Sequence, residues 1–207
     1  MINDLDQTLS ALLLRELHAD LARQVRISFA APDDAFPPQS VTLPAIDLFL
    51  YDLRENLELR ESEAWIERTG GASATIRPAP VRIDASYLVT AWPSPTVNDP
   101  AEDEHRLLGE VMRALLRHRV LPPDVLCGEL GAQALPPPVA ALQPGRLHSV
   151  GAFWQALGGK PKAALHYTVT LAIHAGAAQP VNLVTEKRIR IRQEAGGKLG
   201  EKAGGAP

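Results

Sequence analysis

The chain has 207 residues, of which 45% are hydrophobic and 22% charged, enough to bury a substantial core in an ordinary globular protein. A net charge of −3 provides no global basic field for nucleic acid, and one cysteine, Cys127, excludes both a disulfide framework and a multi-cysteine zinc site. Acids rather than cations follow Met1, and the apolar cluster Leu12–Leu14 is too short for a signal peptide or a membrane span, so the chain is expected to be made and folded in the cytoplasm.

Leu5, Leu9, Leu12, Leu13 and Leu17 recur at three and four, which predicts a first helix capped by Asn3 or Asp4. A short strand follows, with Val25, Ile27 and Phe29 on one side and Arg26 and Ser28 on the other. Pro32, Pro37 and Pro38 mark a loop, and Pro44–Tyr51 reads as a largely buried strand. Asn56–Arg60 alternates as a strand with its leucines inward. Arg68–Pro80, with paired glycines and two prolines, reads as a mobile connection.

Val81–Ala91 is the longest strand candidate. Val81, Ile83, Ala85, Tyr87, Val89 and Ala91 share one face, and Arg82, Asp84, Ser86 and Thr90 take the other. A second helix fits Glu102–His118. Leu107, Leu108, Val111, Met112, Leu115 and Leu116 form its apolar stripe, acids load its first turn, and Arg117, His118 and Arg119 load its last. Six prolines between Leu121 and Pro144 forbid long regular elements there. A short helix over Ser149–Leu157 has Ser149 as N-cap and Gly158-Gly159 as its stop, and Ala163–His174 alternates as another strand.

Val181–Arg192 reads as a last strand, and from Ala195 onward Gly, Lys, Ala and Pro leave nothing to bury, so residues 195–207 are expected to be disordered. Strands grouped without regularly alternating helices imply an α+β fold, a mainly antiparallel sheet with helices packed on one face. Residues 1–194 are expected to form one domain, with 181–194 as a C-terminal arm.

No enzyme signature rises above background. Glu102 and His105 have the spacing to converge on one helix face, but no second spaced pair completes a site. Cys127 sits in a proline-rich stretch, where a lone cysteine reads as a small buried hydrophobe. His166 and His174 are eight apart on a strand, about 26 Å at the usual rise. No glycine loop has the spacing that cradles phosphate, and no cofactor or metal is implied. The basic tail, with Lys187, Arg188, Arg190 and Arg192, has no interleaved aromatics for base stacking, so its arginines read as a partner-facing edge and not as a nucleic-acid site.

Asp52–Glu61 is the unusual segment: charges crowd around three leucines directly after the most apolar strand, where a turn would normally use Gly or Pro. Its Arg54, Glu55, Asn56, Glu58 and Arg60 are not explained by burial. They read either as a solvated hairpin of paired charges or as a recognition surface, with Arg188, Arg190 and Arg192 as a second contact strip.

Ile46–Arg60 resembles the N-terminal domain of cap proteins from extracellular contractile injection systems, the Photorhabdus virulence cassette and antifeeding-prophage type. Pro80–Trp92, Asp103–Gly109, Phe153–Gly159 and Tyr167–Thr170 agree in order, so the likeness covers about residues 2–174. It implies a fold similar to phage tail terminators and no catalytic residues or cofactors. It also implies a ring of six copies that caps the distal tube and sheath, with itself, the sheath protein and the inner-tube protein as partners, in a particle that leaves the cytoplasm if released. Some relatives have a further C-terminal domain where this chain has a short tail, so roles tied to that domain are not expected. Two other readings stay open: a tail-completion or baseplate-adjacent component, and a small hydrolase or ligand-binding protein built on Glu102, His105 or Cys127.

Overall fold

The computed structural model describes residues 1–60, 63–70, 73–133, 135–143 and 149–182. Helix α1 spans Ile2–Glu16, and Leu5, Leu9, Leu12 and Leu13 are fully buried along one stripe, as the spacing predicts. Neither Asn3 nor Asp4 is its cap: the helix starts at Met1 with no side-chain cap, and the Met1 amine pairs with Asp4 at 3.1 Å. A six-residue helix α2, Ala19–Gln24, then leads into β1, Arg26–Ser28. Six residues are too few to show a periodicity, so this turn was not legible as a helix.

The main sheet is built on β2 (Ala45–Glu55), β5 (Val81–Trp92) and β7 (Leu165–Ile173), with β6 (Val139–Ala141) completing five strands in the order β1-β2-β5-β7-β6. Only β1 and β2 run parallel; the other neighbours are antiparallel. Helix α3, Pro100–Leu116, starts on an Asp99 cap whose carboxylate accepts from the Glu102 N–H at 3.1 Å. It shares with α1 the face made by Ile46, Leu48, Ala85, Tyr87, Val89, Tyr167, Val169 and Leu171. The Tyr87 hydroxyl crosses to Asp6 at 2.9 Å and pins α1 to the central strand. Leu107, Val111 and Leu115 of the predicted stripe are buried, whereas Leu116, on the last helical residue, is half exposed.

The opposite face is polar but not solvated. Asp84, Ser86 and Thr90 are 5%, 2% and 0% exposed. They bond within that face: Thr170 of β7 donates to Asp84 at 2.8 Å, Ser86 and Thr168 lie 3.4 Å apart across the strands, and along β5 Trp92 Nε1 donates to Thr90 at 2.9 Å. Helix α4, Val150–Ala156, sets Phe153 against Phe49 and Tyr51 on this side, with Trp154 buried behind it. Its ends are those the sequence predicts: Ser149 Oγ accepts from the Ala152 N–H at 3.1 Å, and Gly158 follows at φ 70°.

Two segments differ from expectation. Arg68–Pro80 is no loose connection: β3 (Trp65–Gly70) and β4 (Ser73–Arg77) form a hairpin that, with β8 (Gln179–Asn182), makes a separate three-stranded antiparallel sheet. Asn56–Arg60 is a turn rather than a strand, because β2 stays paired with β5 until Glu55 meets Ile83 and the Asn56 N–H then donates to the Arg82 carbonyl at 2.8 Å. Between α3 and α4 the described residues form two 3-10 turns, Pro123–Val125 and Gly128–Ala132, and β6, short elements as the prolines require. Most of the expected strand Val181–Arg192 and all of 195–207 lie outside the described residues.

Gly128 is a tight point of this frame. Its φ is 54°, and a Cβ there would lie 2.5 Å from the Asp4 carboxyl carbon. Asp4 instead uses that approach to accept from the Glu129 N–H at 3.1 Å, which holds its carboxyl below the usual range. Gly128→Ala is therefore expected to lower stability by about 1–3 kcal/mol, read from denaturant midpoints at unchanged slope.

Candidate subunit interface

The turn that ends β2 gathers the residues singled out in the sequence. A bulge between Leu50 and Asp52 rotates the end of the strand, and past it Leu53 faces outward, 49% exposed. Arg54 reaches back to Asp52 at 2.8 Å, and Arg60 forks onto Glu55 at 2.8 and 3.0 Å. Both arginine side chains remain more than half exposed, so neither pair holds the fold together to any large extent.

Asn56 is different. Its amide donates to both oxygens of the buried Asp84 at 3.0 and 3.2 Å, while its carbonyl oxygen accepts from the Leu59 N–H at 3.0 Å. It shapes the turn from within, and of the five it is the one whose role in the fold is plain. Glu58 is exposed at the tip. Arg188, Arg190 and Arg192 lie outside the described residues.

The leucines carry the signal that the sequence reading inverted. Leu57 is 67% exposed and Leu59 47%, so with Leu53 the segment turns three leucines outward among Arg54, Glu55, Glu58 and Arg60. Apolar side chains bordered by arginines and carboxylates also occur in protein contacts. A turn preceded by a bulge was the one clue available, and alternation alone gave the opposite face.

The catalytic candidates do not converge. Glu102 lines a shallow groove with Asp99, Asp103 and Arg106, while His105 lines a separate cavity of about 580 Å³ with Phe36, Trp92, Glu104 and Lys162. In that cavity Lys162 pairs with Glu104 and its ammonium sits 4.5 Å from the Trp92 ring centre. Cys127 lines neither, its N–H donating to Thr8 Oγ1 of α1 at 2.9 Å. His166 meets Tyr51 at 3.2 Å and burial lowers its pKa, whereas His174 packs on Trp65. Among the described residues no three His, Cys, Asp or Glu could hold a metal, and no helix is long and apolar enough to cross a membrane.

Two solved structures share this architecture. The sheath/tube terminator of an extracellular contractile injection system, PVC, in its extended state aligns with a TM-score of 0.68 at 25% identity, over 94% of this chain and 64% of its own. The tube-terminating cap of the anti-feeding prophage aligns with a TM-score of 0.62 at 25% identity, over 90% of this chain and 60% of its own. The chain thus spans less than two thirds of the length of either. No curated protein matches it. The pattern of the Pvc16 N-terminal domain matches residues 4–186, and the chain belongs to that family.

Proposed function

We propose that the chain works, like the terminators it resembles, as a structural assembly protein that caps the distal end of the tube and sheath of a contractile, phage-tail-like injection particle. The observation that carries this reading is the likeness to a sheath/tube terminator over 94% of the chain. Six copies form a closed ring through head-to-tail contacts, because a heterologous interface that closes makes a ring and ends growth. The sheath and inner-tube proteins are its partners. The chain has no catalytic role; its surface chemistry serves contacts. It is assembled in the cytoplasm and becomes part of the particle. Residues 1–194 act as one unit with a C-terminal arm.

Removing the gene tests the reading directly: particles should have tubes and sheaths of uncontrolled length, and tails of normal length would overturn it. A tail-completion or baseplate-adjacent role would instead place the labelled protein at the other end of purified particles.

The Leu53–Arg60 turn is the subunit contact, with Arg54, Glu55, Glu58 and Arg60 giving it direction. Arg54→Glu places like charge beside Asp52 and the neighbouring carboxylates. It should cut the ring fraction in native mass spectrometry at least tenfold while shifting the stability of the monomer by no more than about 0.5 kcal/mol. Early melting with aggregation would assign Arg54 to the fold instead.

A further inference from the structure

The turn that ends β2 and the cavity beside Trp92 stand at opposite ends of one pair of strands. Trp92 is paired with Ala45 at one end of the β2–β5 ladder, and Glu55 with Ile83 at the other. The eleven residues of β2 set the two ends about 33 Å apart. Over that distance the turn cannot fill the cavity of its own copy. A ring that closes needs such a pair, two different patches of one chain that meet between neighbours.

The cavity has the volume of a receptor site, about 580 Å³. Its inner charges neutralise each other, because Lys162 pairs with Glu104 and lies over the Trp92 ring. That leaves an apolar wall, where Trp92 and Phe36 stack with ring centres 4.2 Å apart. Asp34 and Lys160 line the cavity from exposed positions, and neither has an ion-pair partner among the described residues. Asp33 beside them accepts from the Ala35 N–H at 3.0 Å and so serves its own loop.

The turn carries the complementary groups. Arg54 bonds Asp52 through Nε, and its two terminal nitrogens have no partner among the described residues. Glu58, exposed at the tip, has no cation among them either. Leu57 is the most exposed of the three outward leucines. An arginine, a carboxylate and a leucine thus face solvent at one end of the strands. At the other end a carboxylate, an ammonium and two aromatic rings surround a hollow.

Resting on the ring reading above, we propose that the β2 turn of one copy seats in the Phe36–Trp92 cavity of the next. Arg54 meets Asp34, Glu58 meets Lys160, and Leu57 packs against the two rings. Each copy then gives one turn and receives one, with the anchor side chain in the cavity and the charges around it fixing the orientation.

The test is a charge exchange in full-length chains, read as the ring fraction in native mass spectrometry. Arg54→Glu and Asp34→Arg, each alone, should cut that fraction about tenfold. The chain carrying both should recover it to within about twofold of the parent, since the pair is restored with its signs reversed. Should Asp34→Arg melt early, Glu58→Lys with Lys160→Glu makes the same exchange at two exposed positions, and the same outcomes decide. Rings unchanged by the cavity substitution would overturn the proposal and leave the ring standing. If those rings no longer attach to the tube, the cavity belongs to a different partner, and the proposal falls as well. A double variant no better than its worse single parent would also overturn it. A parent chain that stays monomeric at every concentration would overturn the ring and the proposal together.

Discussion

Asp47→Asn should make the protein more stable at pH 8 by about 2–4 kcal/mol and leave it nearly unchanged at pH 4. Asp47 lies in β2 between Ser28 of β1 and Thr90 of β5, and none of its surface is exposed. Neither carboxyl oxygen meets a donor in good geometry; the Ser28 hydroxyl and the Ala30 N–H offset only part of the loss of water, and burial raises the pKa from 3.8 to about 7. An acid whose pKa is raised on folding stabilises the native state while it is protonated in both states. That stability drains away as the pH climbs from about 4 to 7, and the whole interval corresponds to about 4 kcal/mol. The neutral amide escapes that loss.

Glu16 works in the opposite direction. Arg117, then Arg15 and His118, hold its pKa down to about 2, and its stabilisation is lost as the pH falls from 4.5 toward that value. The two groups therefore act in different windows, Glu16 below about pH 4.5 and Asp47 between about pH 4 and 7. Chemical denaturation across pH 4 to 8 reads both. An Asn variant destabilised equally at every pH would mean that Asp47 serves as a hydrogen-bonding group and not as a buried acid.

Asn56→Ala should cost about 2–3 kcal/mol, the larger of the two turn substitutions. It removes both amide contacts to Asp84, a carboxylate only 5% exposed, and leaves the Leu59 N–H without its acceptor. Asp84 keeps Thr170, so the fold survives, but the Asn56–Arg60 turn loosens and amide exchange at Leu59 should quicken along with the fall in midpoint. The comparison with Arg54→Glu separates two neighbours in one segment. Asn56 acts inward on the sheet, while Arg54 points outward, where the proposed contact would lie. Equal melting losses for both would erase that distinction.

The elements that were legible are those whose pattern has one cause. α1 buries a single leucine stripe, and β7 alternates buried and half-buried residues from Leu165 to Ala172. The ends of α4 follow from one serine and one glycine. The misread elements had two causes acting on one pattern. In β5 the polar face of Asp84, Ser86 and Thr90 looks like a solvent face, yet lateral hydrogen bonds let it be buried. Leu57 and Leu59 alternate with charges as strand residues do, but the turn at Asn56 sends them outward. β3 and β4 were hidden by the glycines and prolines that border them. Of the candidate contact residues, the charges stand out in the sequence because nothing local explains them, while the leucines beside them do not, because burial would account for them.

The spatial order of the main sheet also sets when the molecule can exist. β5 lies between β2, which precedes it closely, and β7, which the ribosome delivers last of the sheet strands. Until Leu165–Ile173 emerges, one whole edge of the twelve-residue β5 has no partner, and the stripe of α1 packs on an unfinished face. Pairings this distant in sequence fold slowly and leave strands open to wrong partners meanwhile. The supply of finished copies therefore follows the folding rate as well as the rate of synthesis.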